Sequence, residues 1–268
     1  MHSYVRERIV SQANKYLDVD MFIYTDEQDE AVHSTRKKRE HYTRKSCEKQ
    51  NERRARIYFG QLLNCNFGAN DLHVSLTYDN DNLPCNIEEA YGVVRNYIKR
   101  INYARKKAGL PSCKCLIVDE HNADETTGKP SRIHHHIVMD GALDRDTVEA
   151  LWSYGRGKNK KPYGFANADK LQVSEDGLCA LAEYLTKPRT HHKRWTSSHG
   201  LRKPDCYRRD GRISQRKLAK LGRGEIDMSE IEREYHGYEL CRNEHGYKAT
   251  YSDISGWRVS LKLKRTAA

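Results

Sequence analysis

Between residues 71 and 187 the apolar positions switch repeatedly between a strand period and a helix period, and that succession is the strongest constraint on the fold. Residues 71–78 (DLHVSLTY) alternate and are rich in β-formers, which predicts a strand. Ile87, Tyr91, Val94, Ile98 and Ile101 follow at helical spacing, ending at Gly109-Leu110-Pro111. Residues 114–120 (KCLIVDE) predict a second strand and residues 132–139 (RIHHHIVM) a third, joined by a polar loop with Gly128 and Pro130. A short helix over 144–152, a strand over 166–173 and a helix over 176–187, stopped by Pro188, complete the series. The order β-α-β-β-α-β predicts an α+β fold: an antiparallel sheet of four to five strands in split βαβ order, ferredoxin-like, with helices packed on it. Residues 1–50 show no sustained period and read as an arm or loose helices, followed by a basic helix over 51–64. Residues 190–233 read as irregular and basic, and residues 234–264 as added edge strands. The expected organisation is a basic arm over 1–55, a central domain over 56–195 and a basic loop with a β extension over 196–268.

Charge narrows the partners. The 268 residues hold 48 Lys and Arg against 37 Asp and Glu. The excess concentrates at 33–56 and 187–223, leaving an acidic middle between two basic stretches. Such stretches suit a phosphate backbone, and the interleaved Tyr42, Tyr58, Trp195 and Tyr207 offer faces on which bases can stack. Solvated arms are the plainer alternative. No run approaches the roughly 20 apolar residues of a membrane span, so no membrane partner is expected. The first residues (MHSYVRERIV) lack a signal layout, and the eight cysteines are scattered with no CxxC pair. A reducing cytoplasm is the expected location. No GxxxxGK[ST] occurs, so an ATP-driven motor is not expected.

The chemistry concentrates in the third strand. Side chains alternate along a strand, so His134 and His136 project together while His135 points the other way with Ile133 and Ile137. Two imidazoles on one face can ligate one metal ion; a face of ordinary hydrogen-bonded histidines is the alternative. Glu120 ends the preceding strand and can lie beside His134, giving two imidazoles and a carboxylate with positions left for phosphate oxygens and water. Asp119, His121 and Asp124 compete for the third ligand; Asp119 faces away and the other two lie in the loop. Downstream, Tyr184 and Lys187 share a neighbouring helical face, beside a stripe of Leu178, Leu181 and Leu185. A tyrosine can attack phosphorus, and a lysine one turn on can favour its phenolate or neutralise phosphate. A tyrosine on an amphipathic helix is nonetheless more often packing.

Taken in order, DLHVSLTYDNDNLP, IVDE, RIHHHIVMDG and LAEYLTKP resemble the motifs of rolling-circle replication initiators, the HUH endonucleases of the single-tyrosine branch. The lead-in NFGANDLH and the tail KRWTSSHGLRKP are similar to initiator-like proteins of phages and mobile elements of Gram-positive bacteria. The resemblance covers roughly residues 51–205. It implies a Mg²⁺- or Mn²⁺-dependent enzyme that nicks and rejoins single-stranded DNA at an origin. It places His134 and His136 on the two ligand histidines, Glu120 on the carboxylate ligand, Tyr184 on the nucleophile and Lys187 on the lysine that follows it. It further implies DNA contacts at Thr77, Tyr78, Arg132, Arg194, Trp195, Arg202 and Lys203, with a host helicase and DNA polymerase recruited in the bacterial cytoplasm. His135 departs from the usual aliphatic middle residue. Ala180 and Pro188 flank the nucleophile motif where a second tyrosine would stand, so two-tyrosine cycling is not expected. A transposase or relaxase of the same chemistry, and a non-catalytic DNA-binding protein with structural zinc, are the competing readings.

Overall fold

The computed structural model describes residues 2–28, 45–120, 133–155, 157–187 and 195–266. Along the chain run β1 (Ser3–Gln12), β2 (Tyr16–Thr25), α1 (Lys45–Asn66), β3 (Leu72–Leu76), α2 (Ile87–Lys107), β4 (Cys115–Glu120) and β5 (His134–Met139). They are followed by α3 (Arg145–Ala150), β6 (Ser153–Tyr154), β7 (Lys161–Pro162), β8 (Ala166–Lys170), α4 (Cys179–Leu185), β9 (Thr196–Ser197) and β10 (Asp205–Asp210). The chain closes with α5 (Gln215–Gly222), α6 (Met228–Glu234), β11 (Tyr238–Leu240), β12 (Tyr247–Ser252) and β13 (Gly256–Arg265). The fold is mixed α+β with antiparallel sheets. Two compact units divide it: Asn66–Val173 with Ala180–Leu201, and Met1–Cys65 with Ser174–Cys179 and Arg202–Ala268. Among the described residues no helix is long and apolar enough to cross a membrane.

The first of these units holds a five-stranded sheet in the order β8-β3-β5-β4-β9. Leu72, Val74 and Leu76 of β3, Cys115 and Ile117 of β4, and Ile137 and Met139 of β5 point to one face. There they meet Val94, Tyr97 and Ile101 of α2 and Val148 and Trp152 beside α3. Each such aliphatic side chain stabilises the unit by about 1.5–3 kcal/mol on full burial. Helix α2 begins where Asn86 accepts the Glu89 amide at 2.8 Å while the Glu89 carboxylate accepts the Cys85 amide at 2.7 Å, a reciprocal cap. It ends at Gly109, whose φ of 70° only glycine adopts without cost. The alternate positions of β3, β4 and β5 stand on the other face, where His73, His134 and His136 share it with the buried Leu116, Val118 and Val138.

The second unit was legible only in part: the basic helix expected over 51–64 falls within α1, and the strands expected in 234–264 are β11, β12 and β13. Where the arm over 1–55 was expected, residues 3–25 form a hairpin, and β1 and β2 are inner strands of a six-stranded sheet ordered β10-β1-β2-β13-β11, with β12 also on β13. The stretch expected to be irregular contains β10, α5 and α6, and β13 is an inner strand, not an edge. Two features hid the hairpin. Its turn uses Ala13 and Asn14 at φ 54° and 60°, without the glycine that usually marks such a turn. Its alternation is also broken by a fully buried charge: Glu7 sits on the same face as Val5 and Ile9, against α5 and α6. Arg212 grips it with two bonds of 2.9 Å and the Tyr235 hydroxyl donates at 2.5 Å. That partnership holds the Arg212 guanidinium well above its ordinary pKa, and burial raises the Tyr235 phenol. Removing the cation leaves a buried carboxylate with one neutral donor. Arg212→Met is therefore expected to lose about 3–5 kcal/mol in urea unfolding, and Glu7→Leu in the same chain to recover much of it.

Candidate functional site

The site is built on the sheet face away from α2. Strand register places Glu120 directly opposite His134, and Val118 and Ser75 on either side of His136. His134, His136 and Glu120 thus share one face, as the alternation of residues 132–139 requires. His136 is its centre. Its Nε2 lies 3.2 Å from Glu120 Oε2, and its Nδ1 lies 3.3 Å from both Ser75 Oγ and His73 Nε2. His73 stacks on it with ring centroids 5.4 Å apart and planes 21° apart. Burial, and next the His136 ring, push the His73 imidazole down to about 4. His73 is therefore neutral at physiological pH, with a nitrogen available to His136.

Helix α4 brings the tyrosine to this cluster. The Tyr184 ring stands edge-on to His136, centroids 5.8 Å apart and planes at 78°. Half of its surface remains exposed, 48%, so an external phosphate can reach it. Lys187 carries its ammonium to 4.8 Å from the Tyr184 ring centroid. The helix is shorter than the expected 176–187; its buried positions are Ala182 and Leu185, Leu181 is only half-buried, and Leu178 is buried just ahead of it.

His135 faces the opposite side and is fully buried. Its Nδ1 lies 2.5 Å from Asp119 Oδ1 and its Nε2 2.9 Å from the Tyr78 hydroxyl. The line Asp119–His135–Tyr78 is a buried polar chain among Trp152, Tyr163 and Tyr97. Burial and the nearby Asp119 charge raise the Tyr78 phenol beyond its ordinary range. Asp119 is thereby occupied on the core side, away from Glu120.

The expected DNA contacts fare unevenly. Tyr78 is 2% exposed and bound to His135, so the structure places it in the core and not under a base. The Thr77 hydroxyl donates to the Phe165 carbonyl at 3.3 Å. Trp195 is half-buried in the unit that carries the site. Arg202 and Lys203 are exposed in the other unit, Arg202 3.4 Å from Asp205. Arg132, Arg194, Tyr42, His121 and Asp124 lie outside the described residues. Reading residues missed His73 and Ser75. The signal for both was present, because they alternate out of the same strand as the buried Leu72, Val74 and Leu76.

Metal fit follows from donor chemistry. His136 and Glu120 converge, and His134 faces the same side; imidazole and carboxylate are both groups that a divalent ion takes as ligands. Among the described residues no three such groups already converge as a closed cluster. Compared with protein-family models, with curated proteins and with solved structures, the chain gives no match to any of them.

Proposed function

We propose that this chain is a single-tyrosine HUH-type endonuclease that nicks and rejoins single-stranded origin DNA, initiating rolling-circle replication of a phage, plasmid or mobile element. The observation that carries the reading is the seat of Tyr184 against His136, whose other edge meets Glu120. These residues are far apart in sequence, and the contact leaves the Tyr184 ring half-exposed beside the histidine–carboxylate pair. The strand order β8-β3-β5-β4 supports the reading too, since it is the order of a split βαβ unit with the histidine strand inside.

His134, His136 and Glu120 would hold a divalent ion, which when bound polarises the scissile phosphate. The chain's own residues do the rest. Ser75 and His73 hold His136 by Nδ1 and leave Nε2 turned toward Glu120. The Tyr184 oxygen attacks phosphorus in line and gives its proton to solvent. The bond from phosphorus to the 3′ oxygen breaks, and that oxygen leaves as a hydroxyl after taking up a proton. The product is a 5′-phosphotyrosine and a free 3′ end that can prime synthesis by a host polymerase, with a host helicase opening the duplex in the bacterial cytoplasm. Attack by a 3′ hydroxyl reverses the link, so no ATP is consumed.

The Lys187 ammonium beside the Tyr184 ring favours the anionic oxygen as it forms. Lys187→Met is expected to slow single-turnover nicking about ten- to a thousandfold at neutral pH, with Lys187→Arg retaining more. An unchanged rate in Lys187→Met would leave the lysine as a cation at a helix end. The reading as a whole is tested by incubating the chain with origin-bearing single strands and Mn²⁺, then looking for a denaturation-resistant protein–DNA adduct that EDTA prevents.

A further inference from the structure

The six-stranded sheet carries, on the face opposite α5 and α6, a cluster that the reading above leaves unused. Strand pairing sets Tyr4 opposite Tyr24, and Phe22 between Arg6 and Arg258. Cross-strand partners share a face, so the three rings stand together. Tyr4 to Tyr24 and Phe22 to Tyr24 are each 6.1 Å between centroids, and all three rings are half-buried. They are also held. The Arg6 guanidinium lies 3.7 Å from the Tyr24 centroid and is fixed to Asp210 at 2.8 Å. Arg258 lies 5.4 Å from the Phe22 centroid and is fixed to Asp20. Rings held in this way lose little side-chain freedom when something stacks on them. At the other end of the face α1 takes part, through Gln61 to Asp18 and Asn64 to Gln12.

Cations border the rings. Arg8 and Arg208 are directly opposite each other across β1 and β10, both exposed. Like charges so placed destabilise a sheet. Asp20, across from Arg8 on its other side, is bound by Arg258 and Ser260. Lys248 adds an exposed ammonium on the same face, opposite Ser260. A phosphate bridging Arg8 and Arg208 would relieve their repulsion through charge-assisted bonds.

We propose that this face is a stacking platform for single-stranded DNA, with bases on Tyr4, Phe22 and Tyr24 and backbone phosphate on Arg8 and Arg208. Fixed aromatic faces beside guanidiniums are what sequence-tolerant single-strand binding needs. The choice of DNA over RNA rests on the proposed nicking function; the geometry of the platform does not.

The test uses the full chain carrying Tyr184→Phe, so that no adduct forms, and a labelled twenty-residue oligothymidine with no origin sequence. Fluorescence anisotropy should show binding, weakened about five- to a hundredfold by Phe22→Ala or Tyr24→Ala. Phe22→Tyr and Tyr24→Phe, which keep the rings, should bind as the parent does. Arg8→Glu with Arg208→Glu touches only exposed side chains, so it tests the platform even if an alanine variant unfolds. It should weaken binding and lower the slope of log affinity against log salt by about 0.7 per lost phosphate contact. Parent-like binding by the alanine and glutamate variants, or no binding by the parent, would overturn the proposal. Tighter binding of the matching oligouridine would overturn the assignment to DNA. Loss of the nicking reading shows separately, as absence of the Tyr184 adduct with oligothymidine binding intact.

Discussion

Tyr184→Phe is expected to form no denaturation-resistant adduct with origin-bearing single strands, while folding and binding them as the parent does. The substitution removes one hydroxyl from a ring that is 48% exposed. No buried hydrogen-bond partner is orphaned by this loss, so thermal stability should move by less than about 0.5 kcal/mol. The edge contact with His136 uses the ring and survives in phenylalanine. What disappears is the hydroxyl of the ring that α4 sets against His136. Without it the phosphodiester has no protein nucleophile, and covalent capture should fall below detection instead of by a modest factor. The measurement is gel separation of labelled oligonucleotide after denaturation, with anisotropy on the same samples as the binding control. An adduct of undiminished yield would move the nucleophile to another tyrosine. Tyr154 and Tyr163 are the rivals to test in this unit, and Tyr163 packs against Trp152 and Tyr78 on the core side of the sheet.

How far the residues foretold the fold depends on how cleanly each segment separates its two faces. Strand β3 was readable because Leu72, Val74 and Leu76 alternate with His73 and Ser75; β4 and β5 were readable as β-rich apolar runs, Leu116, Val118 and Val138 being buried on the second face as well. Helix α2 was readable from the period of Ile87, Tyr91, Val94, Ile98 and Ile101, although the fully buried stripe runs through Ala90, Val94, Tyr97 and Ile101 and leaves Ile87, Tyr91 and Ile98 half-buried. The hairpin over 3–25 was not. Burial on both faces leaves Arg6 at 5% and Glu7 at 0% exposed, and a sequence window scores both as surface. Arg212 and Tyr235, both more than two hundred positions away, explain why Glu7 is tolerated there. The same distance effect governs the site. Glu120 and His134 were legible as hairpin neighbours. The approach of Tyr184 to His136 needed the resemblance, and His73 and Ser75 needed the β3–β5 register, which pairs Ser75 with His136. Tyr78 misled because the strand period continues through it while its hydroxyl is committed inward to His135.

The three consecutive histidines give the sharpest division of roles, and their alanine variants are expected to fail in different ways. His136→Ala removes the ring that meets Glu120, Ser75, His73 and Tyr184 at once. Losing an outer partner of a metal ligand typically costs ten- to a hundredfold, so losing the proposed ligand itself should reduce adduct formation by more than about a hundredfold. His134→Ala should act in the same direction, since its position faces Glu120 across the strand pair. His135→Ala belongs to the other side of the sheet. It leaves the Asp119 carboxylate and the Tyr78 hydroxyl without the nitrogen that each meets, at 2.5 and 2.9 Å. Orphaning the buried Tyr78 hydroxyl costs about 1–3 kcal/mol, the Asp119 carboxylate loses one of its partners, and the vacated ring adds a cavity. A loss of about 3 kcal/mol or more follows, read as a lower melting temperature. At a temperature where that variant is still folded, its adduct yield should remain near that of the parent. A His135→Ala chain with the parent's melting temperature but no adduct would reverse the assignment of the two faces. A His136→Ala chain with full adduct would remove the metal-site reading and leave Tyr184 standing against a structural histidine.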